Sequence, residues 1–165
     1  MIRTERLLLR RPTPADVEDP PAFLTDSRVM EFLGGFDEAP QDVVQLWLDG
    51  WDTFPAGKLI VETGTGERIG RVGFNFYDPV RWSRSSAPDA LPELTWALAY
   101  EHWGKGYATE AAAAARDWLG RTDQISLIAP GNTRSQRVAT RLGARPTRTV
   151  ELPDGGPHVV WEHRG

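Results

Sequence analysis

The sequence of 165 residues contains no cysteine and few lysines or histidines. Without cysteine there can be no disulfide, no thiolate nucleophile and no cysteine-ligated metal site. The three histidines, His102, His158 and His163, lack the spacing of a metal centre, so we expect no metal. Two of the 19 basic residues are lysines, the net charge is −4, and no basic run occurs. Nucleic acid is therefore not an expected partner.

A long apolar segment is also missing from the start of the chain. Arg3 and Glu5 introduce charge at once, which argues against a signal peptide or a membrane anchor. We therefore expect a cytoplasmic protein that makes no membrane contact. The length and the hydrophobic content of 40% predict one globular domain over residues 1–165.

Residues 92–119, PELTWALAYEHWGKGYATEAAAAARDWL, are the most informative stretch. Apolar residues alternate with others in residues 93–99, which predicts a strand. Gly104 and Gly106 then permit a tight turn, and the alanine-rich run that follows predicts a helix up to the next glycine. A glycine turn that leads into a helix gathers unpaired N–H groups. Residues 103–108 therefore predict an anion site suited to a pyrophosphate.

Two familiar nucleotide-binding motifs do not match this stretch. A dinucleotide site requires an acidic residue about twenty positions further on, at the end of a second strand, whereas Asp123 precedes the next strand. A P-loop requires GxxxxGK followed by serine or threonine, and no such run occurs. A plain connection between a strand and a helix remains the alternative to an anion site.

Three stretches together resemble a known family. WGKGYATEA, after the strand ELTWAL, is similar to the acetyl-CoA-binding signature of the GNAT N-acetyltransferases, and TERLLLRRPTPAD and GNTRSQRVATRLGAR agree with it. The resemblance spans nearly the whole chain, is weakest over residues 37–92, and is strongest to the branch of the ribosomal-protein N-terminal acetyltransferases. It implies a mixed α/β fold, in which a largely antiparallel, centrally splayed sheet carries helices on both faces.

The resemblance also implies that acetyl-CoA is the acetyl donor. Its pantetheine arm is expected to fill the gap beside residues 97–99 and to bond Asn132. The Lys105 charge and the Thr109 hydroxyl are expected to meet the pyrophosphate in the turn. The predicted cofactor-binding residues are Ala97, Leu98, Ala99, Trp103, Gly104, Lys105, Gly106, Tyr107, Ala108, Thr109, Asn132, Ser135 and Arg137.

Charged residues near this site have two interpretations. Arg134, Arg137 and Arg141 fall on one face of the helix that Asn132 is expected to cap, and they either meet the 3′-phosphate of the cofactor or face solvent. Glu110 follows the glycine turn and is expected to be repelled by phosphate. We therefore predict a structural task for it.

Amine acetylation needs a free lone pair, so a base must remove the proton of an ammonium group whose pKa is about 8 to 10. In several enzymes of the resembled family a glutamate at the start of the strand does this, and Glu93 matches it, although a solvated strand-end carboxylate is an equal alternative. Glu151 is the nearest match to a base in the ribosomal-protein branch, and His158 is a third candidate by its pKa. Ser135 is the candidate acid for the departing thiolate. Because there is no cysteine and no serine–histidine pair at a recognisable spacing, we expect no covalent enzyme intermediate.

These residues predict transfer of an acetyl group to a primary amine by direct attack within a ternary complex. The acceptor is a protein N-terminus or a small molecule, and the protein is a monomer or a homodimer. A catalytically silent acyl-CoA-binding module is the alternative. Phe36, Trp47 and Trp51 line either the acceptor pocket or the core. The loop over residues 78–91 covers the acceptor or serves a contact between copies.

Overall fold

The structure, a computed structural model, describes residues 1–33, 38–53, 57–153 and 155–163. In this part of the chain eight strands form one sheet, in the spatial order β1-β2-β3-β4-β5-β6-β8-β7. The strands are β1 (Ile2–Arg3), β2 (Leu7–Arg10), β3 (Lys58–Thr63), β4 (Arg68–Tyr77), β5 (Leu91–Leu98), β6 (Ile125–Ile128), β7 (Arg145–Leu152) and β8 (Gly156–Glu162). All neighbouring strands are antiparallel except β5 and β6. The predicted mixed, largely antiparallel sheet is confirmed.

Helices pack on both faces of the sheet. They are α1 (Pro14–Glu18), α2 (Ser27–Met30), α3 (Pro40–Thr53), α4 (Tyr107–Leu119) and α5 (Thr133–Arg141). On the face that we call the front, Val44 of α3 lies in one buried cluster with Ile60 of β3. On the back, Ala112 of α4 packs with Leu59 and Val61, the strand neighbours of Ile60. Side chains alternate between the faces of a strand, so the two helical layers lie on opposite sides. None of the helices in the described ranges is long and apolar enough to cross a membrane.

The predicted gap in the sheet lies between β5 and β6. These strands pair at a single position, Glu93 with Ile125. Next to that pair the Ser126 hydroxyl donates to the Leu94 carbonyl at 2.7 Å, so a side chain joins the strands where the backbone ladder ends. Beyond this vertex the strands separate, and the second half of β5 borders a cavity.

Three local details differ from the sequence prediction. The short strand β1 is not predicted, and β7 begins at Arg145, whereas the sequence predicts a strand that begins at Thr147. The sequence predicts Ser27 as the cap of α2, but the cap is Asp26, whose carboxylate accepts the Arg28 amide at 2.9 Å. A carboxylate at this position satisfies an amide that has no acceptor within the helix.

Two aromatic residues that were candidates for the acceptor pocket lie in the core. Trp47 and Trp51 are both 8% exposed, and each belongs to a buried apolar cluster. Phe36 lies outside the described residues.

The segment after β4 folds back onto the sheet. Its backbone forms a tight turn, in which the Asp78 amide donates to the Ser83 carbonyl at 2.9 Å and the Ser85 amide donates to the Phe76 carbonyl at 3.0 Å. Trp82 is buried against Ile125 and other apolar side chains of the front face, with a φ of 55°. A tryptophan in this left-handed region is strained, so its burial has to offset the strain.

Candidate functional site

A cavity of about 230 Å³ lies between the separated end of β5 and the helices of both faces, and we call it the main cavity. It is bounded by β5, the turn before α4, the first part of α4, helix α5 and the segment from α2 onward. The lining residues are Arg28, Val29, Phe32, Leu33, Trp96, Ala97, Leu98, His102, Trp103, Gly104, Gly106, Tyr107, Ala108, Thr109, Asn132, Arg134, Ser135, Arg137, Val138 and Arg141. Most of the predicted cofactor-binding residues are therefore brought together.

The glycine turn has the backbone that an anion site requires. Gly104 and Gly106 have φ values of 75° and 82°, which residues with a side chain rarely adopt. Gly106 is the cap of α4 and offers no side chain to the first helical N–H groups. The Thr109 hydroxyl one turn later is buried and has no hydrogen-bond partner in the described part of the chain. Unused donors thus converge at the start of a long helix.

The N-terminal segment holds this turn in place. Glu110 accepts hydrogen bonds from the Thr4 hydroxyl at 2.6 Å and from the Arg6 amide at 2.9 Å, and it forms an ion pair with the Arg6 guanidinium at 2.6 Å. Arg6 also donates to the Lys105 carbonyl at 3.0 Å and lies over the Tyr107 ring. The structural task predicted for Glu110 is confirmed. Lys105 itself is exposed and is not among the residues that line the main cavity.

Helix α5 forms the opposite wall. The Asn132 side chain caps it by accepting the Ser135 amide at 3.1 Å, which leaves the Asn132 NH₂ group available as a donor. Arg134, Arg137 and Arg141 all line the main cavity, so the arginine face of the helix is directed to the site. The Arg134 guanidinium lies 4.2 Å from the centre of the Trp103 ring.

Strand β5 contributes backbone to the same cavity. Ala97 and Leu98 line it, but the Leu98 carbonyl already accepts the Trp103 indole N–H at 2.8 Å. The Ala99 amide donates to the Ile69 carbonyl at 2.8 Å, and Ala99 is not among the lining residues. Fewer backbone groups are thus available to a ligand than the predicted range 97–99 implies.

A smaller cavity of about 40 Å³ continues from the main cavity towards the vertex of the gap, and we call it the inner cavity. Ser135 lines both cavities, and Glu93 lines the inner one. Glu93 is 7% exposed, and its carboxylate accepts the Asn75 side-chain N–H at 2.7 Å. The Ser135 hydroxyl forms no hydrogen bond within the described ranges. The candidate base and the candidate acid therefore share one small space.

The two other candidate bases lie elsewhere. Glu151 is exposed on β7, at the edge of the sheet, and it lines neither cavity. His158 is on β8, where its Nδ1 lies 3.1 Å from the Gly156 carbonyl. Of the three candidates, only Glu93 borders the site. Among the described residues, no group of three or more histidine or carboxylate side chains could hold a metal ion.

The fold brings together a serine and a histidine whose sequence spacing matches no recognisable catalytic pattern. Ser126 Oγ and His163 Nε2 are 2.9 Å apart, on β6 and just after β8, and both residues are nearly inaccessible to solvent. The serine hydroxyl donates to the Leu94 carbonyl, so it accepts from the imidazole. Burial, aided by the charge of Arg116, lowers the pKa of His163 to about 4. The imidazole N–H is thus used in a hydrogen bond to Ser126, next to the position where β5 and β6 pair. We therefore interpret the Ser126–His163 pair as a structural contact.

Sequence reasoning also missed a buried polar cluster on the front face, beside Glu93. Lys58 and Arg71 are 8% and 6% exposed, and Asn75 connects Lys58 to the Glu93 carboxylate through hydrogen bonds. Little in the sequence indicates that Lys58 is buried, because it precedes the apolar run of β3 and resembles an exposed residue at the end of a strand.

Two solved structures share this fold at low sequence identity. The aminoglycoside acetyltransferase AAC(6')-Ib in complex with paromomycin and acetyl-CoA is 20% identical, with a TM-score of 0.76 over 97% of this chain and 94% of that chain. A protein of Vibrio cholerae that is proposed to be a ribosomal-protein-serine acetyltransferase is 21% identical, with a TM-score of 0.75 over 99% and 97%. At this identity the likeness shows the fold alone.

Closer matches show the family. The crystal structure of an acetyltransferase from Agrobacterium tumefaciens is 34% identical, with a TM-score of 0.78 over 99% of this chain and 94% of that chain. The uncharacterised protein YkkB of Bacillus subtilis is 40% identical over 104 residues, which are 61% of this chain and only 56% of the length of YkkB. The model of the acetyltransferase (GNAT) domain matches residues 6–145. The chain belongs to the GNAT acetyltransferase family.

Proposed function

We propose that the protein transfers an acetyl group from acetyl-CoA to a primary amine, by direct attack within a ternary complex. The observation that carries this proposal is the continuous cleft from the glycine turn, along the separated end of β5, to the Glu93 carboxylate. The proposal treats residues 1–165 as one catalytic domain, present as a monomer or a homodimer.

The residues present fit acetyl-CoA. The orphaned Thr109 hydroxyl and the turn around Gly104 and Gly106 supply donors for a pyrophosphate. Arg137 and Arg141 add positive charge on the facing wall, where they suit the 3′-phosphate. When bound, acetyl-CoA supplies the thioester whose acetyl group reaches the amine.

Two side chains support proton transfer in this proposal. Glu93 accepts a hydrogen bond from Asn75, which orients its carboxylate, so that it can take a proton from an ammonium group in the inner cavity. Ser135 lies where the two cavities meet and presents an unused hydroxyl to a departing thiolate. Because a serine hydroxyl is a weak acid, a water molecule relays its proton in this scheme. Holding amine and thioester together in this narrow space accounts for much of the rate.

The acceptor is a separate proposal. The resemblance to ribosomal-protein acetyltransferases favours a protein N-terminus, whereas the fold shared with AAC(6')-Ib is compatible with a small amine. A catalytically silent acyl-CoA-binding module is the second candidate function. The polar surroundings of Glu93 favour the enzyme, because a sensor would not need a buried carboxylate beside the gap.

Ligand-induced stabilisation tests the cofactor assignment. Acetyl-CoA at 100 times its Kd raises the free energy of unfolding by about 2.7 kcal/mol, which corresponds to a Tm increase of roughly 5 to 10 °C for a domain of this size. We expect a smaller increase with dephospho-CoA, and none with NADH or ATP. No increase with acetyl-CoA would refute the assignment.

Substitution of the base separates an enzyme from a sensor. Glu93→Gln keeps an acceptor for Asn75 but removes the basic oxygen, so we expect kcat to fall by about 10² or more while acetyl-CoA affinity is retained. The matched control is Glu151→Gln, which makes the same change at an exposed position. Equal kcat values for wild type and Glu93→Gln would exclude Glu93 as the base, and no turnover of any amine by wild type would favour the sensor.

A further inference from the structure

Two cations are buried side by side on the front face of the sheet. Lys58 of β3 and Arg71 of β4, which we call the cationic pair, are each less than one-tenth exposed. They lie between the apolar cluster under α2 and α3 and the cluster around Trp82. Lysine and arginine are rarely buried so deeply unless a partner neutralises them.

The cationic pair is one hydrogen bond away from the residues that line the inner cavity. Arg71 Nη1 donates to the Thr95 hydroxyl at 3.1 Å, and Thr95 lines that cavity next to Glu93. Lys58 Nζ donates to the Phe74 carbonyl at 2.7 Å and to Asn75 Oδ1. The side chains of the pair therefore lie next to the lining of the inner cavity, which Lys58 and Arg71 do not themselves line.

The pair is not neutralised by contact with a carboxylate. Of the ion pairs found within the described residues, none includes Lys58, Arg71 or Glu93. Glu93 is the nearby acid, and its hydrogen bond goes to Asn75. Arg84 adds a third positive charge that acts on both members of the pair. Burial first, and the charges of Arg71 and Arg84 second, lower the pKa of Lys58 well below its ordinary value. Burial lowers the pKa of Arg71 to about 10, and the Glu93 carboxylate acts in the opposite direction on both groups.

Arg71 also has donors to spare. A guanidinium has five N–H groups, and in the described part of the chain one Arg71 nitrogen forms a hydrogen bond. Arg71 is 6% exposed, so its side chain is not completely inaccessible. A planar set of unused donors beside a small polar cavity is the arrangement that binds a carboxylate.

We propose that the acceptor amine carries a carboxylate, and that Arg71, with Lys58 behind it, receives this group while the amine lies at Glu93. This inference rests on the proposed acetyl transfer. A carboxylate fits better than a phosphate, because the inner cavity of about 40 Å³ admits only a few non-hydrogen atoms. A polycation of the aminoglycoside type does not fit, since it would bring more positive charge to a site that already has an excess.

The distance between the two groups defines the probes. Arg71 contacts Thr95, which is two residues from Glu93 on β5. The side chains of Thr95 and Glu93 are therefore about 6 to 7 Å apart along the strand. Glycine, β-alanine and γ-aminobutyrate place a carboxyl carbon two to four bonds from the amine. Each is compared with its carboxamide, and spermidine serves as the polycation.

For wild type we expect kcat/KM to be at least tenfold higher for the best acid than for its carboxamide, with spermidine poorest. Arg71→Gln is expected to remove this preference by slowing the acid, while the rate with the carboxamide stays within threefold. Arg71→Lys keeps the charge and is expected to keep part of the preference. The matched control is Arg3→Gln, an identical change at an exposed position on β1, and it should behave as wild type.

Each outcome decides between the two proposals. Equal rates for acids and carboxamides in wild type, or a preference that survives in Arg71→Gln, would overturn the carboxylate site. Rapid turnover of spermidine without turnover of the acids would overturn it and leave acetyl transfer standing. If no amine is acetylated although acetyl-CoA binds, both proposals fall. The wild-type comparison needs no variant, so poor folding of Arg71→Gln leaves the test intact.

Discussion

Protonation of His163 should weaken the fold in a defined pH range. The imidazole donates to Ser126 through Nε2, and its Nδ1 is buried without a partner in the described part of the chain. A second proton would therefore be buried without an acceptor, close to the positive charge of Arg116. The perturbation is His163→Gln, because a glutamine amide can still donate to Ser126 but does not titrate.

The size of the effect follows from the two pKa values of His163. Its pKa is about 4 in the folded protein, against 6.5 in the unfolded chain, and one pKa unit is equivalent to about 1.4 kcal/mol. Above pH 6.5 neither state binds the proton. Below it the unfolded chain binds the proton first, so the free energy of unfolding falls by about 3 kcal/mol as the pH falls from 6.5 to 4.

Urea denaturation at pH 7.5, 6.0 and 4.5 measures this difference. Carboxylates such as Asp16 also weaken the fold in acid, but they contribute equally to wild type and variant and cancel in the comparison. We expect the stability gap between wild type and His163→Gln to change by about 2.5 kcal/mol over this range. His158→Gln, the same change on β8, should follow wild type. Parallel pH curves for wild type and His163→Gln would refute the reasoning.

Three further substitutions test the site and its supports. Thr109→Val removes an orphaned buried hydroxyl, so it should stabilise the free protein by about 1 kcal/mol in urea denaturation yet weaken acetyl-CoA binding about tenfold by calorimetry; a loss of stability together with unchanged affinity would contradict this. Gly70→Ala places a Cβ 2.3 Å from a β5 carbonyl oxygen, so it should cost about 1–3 kcal/mol and weaken the same binding, whereas Gly64→Ala, with nothing within 4 Å, should not. Asp16→Asn removes the charge of a buried carboxylate that pairs with the partly buried Arg10 and Arg68, and we expect it to lower the free energy of unfolding by about 2–3 kcal/mol; a change below 1 kcal/mol would show that these ion pairs contribute little to stability.

Features that depend on residues close together in the sequence could be predicted. The turn needs glycine at Gly104 and Gly106 because both backbones are left-handed, and α4 follows because alanine favours helix. The cap at Asn132 is equally local. These are the parts of the proposed cofactor site that a short motif can specify, since a few consecutive residues determine their geometry.

Features that depend on strand register could not be predicted. Ser126 and His163 meet because β6 and β8 pair antiparallel with Ser126 opposite Trp161, and nothing in the spacing of the two residues shows this. The burial of Lys58 likewise depends on β3 lying between β2 and β4 under a layer of helices. Register is a property of the whole sheet, so the polar interior of the site emerges only with the fold.

The contact of Glu110 with Arg6 and Thr4 has a consequence for synthesis of the chain. These partners are more than one hundred residues apart, so the glycine turn cannot take its final support until α4 has left the ribosome and returned to the N-terminal segment. The strands β2 to β5 pair in sequence order and can assemble earlier. We therefore expect acetyl-CoA affinity to appear late in biosynthesis, and an isolated peptide of residues 92–119 to lack it.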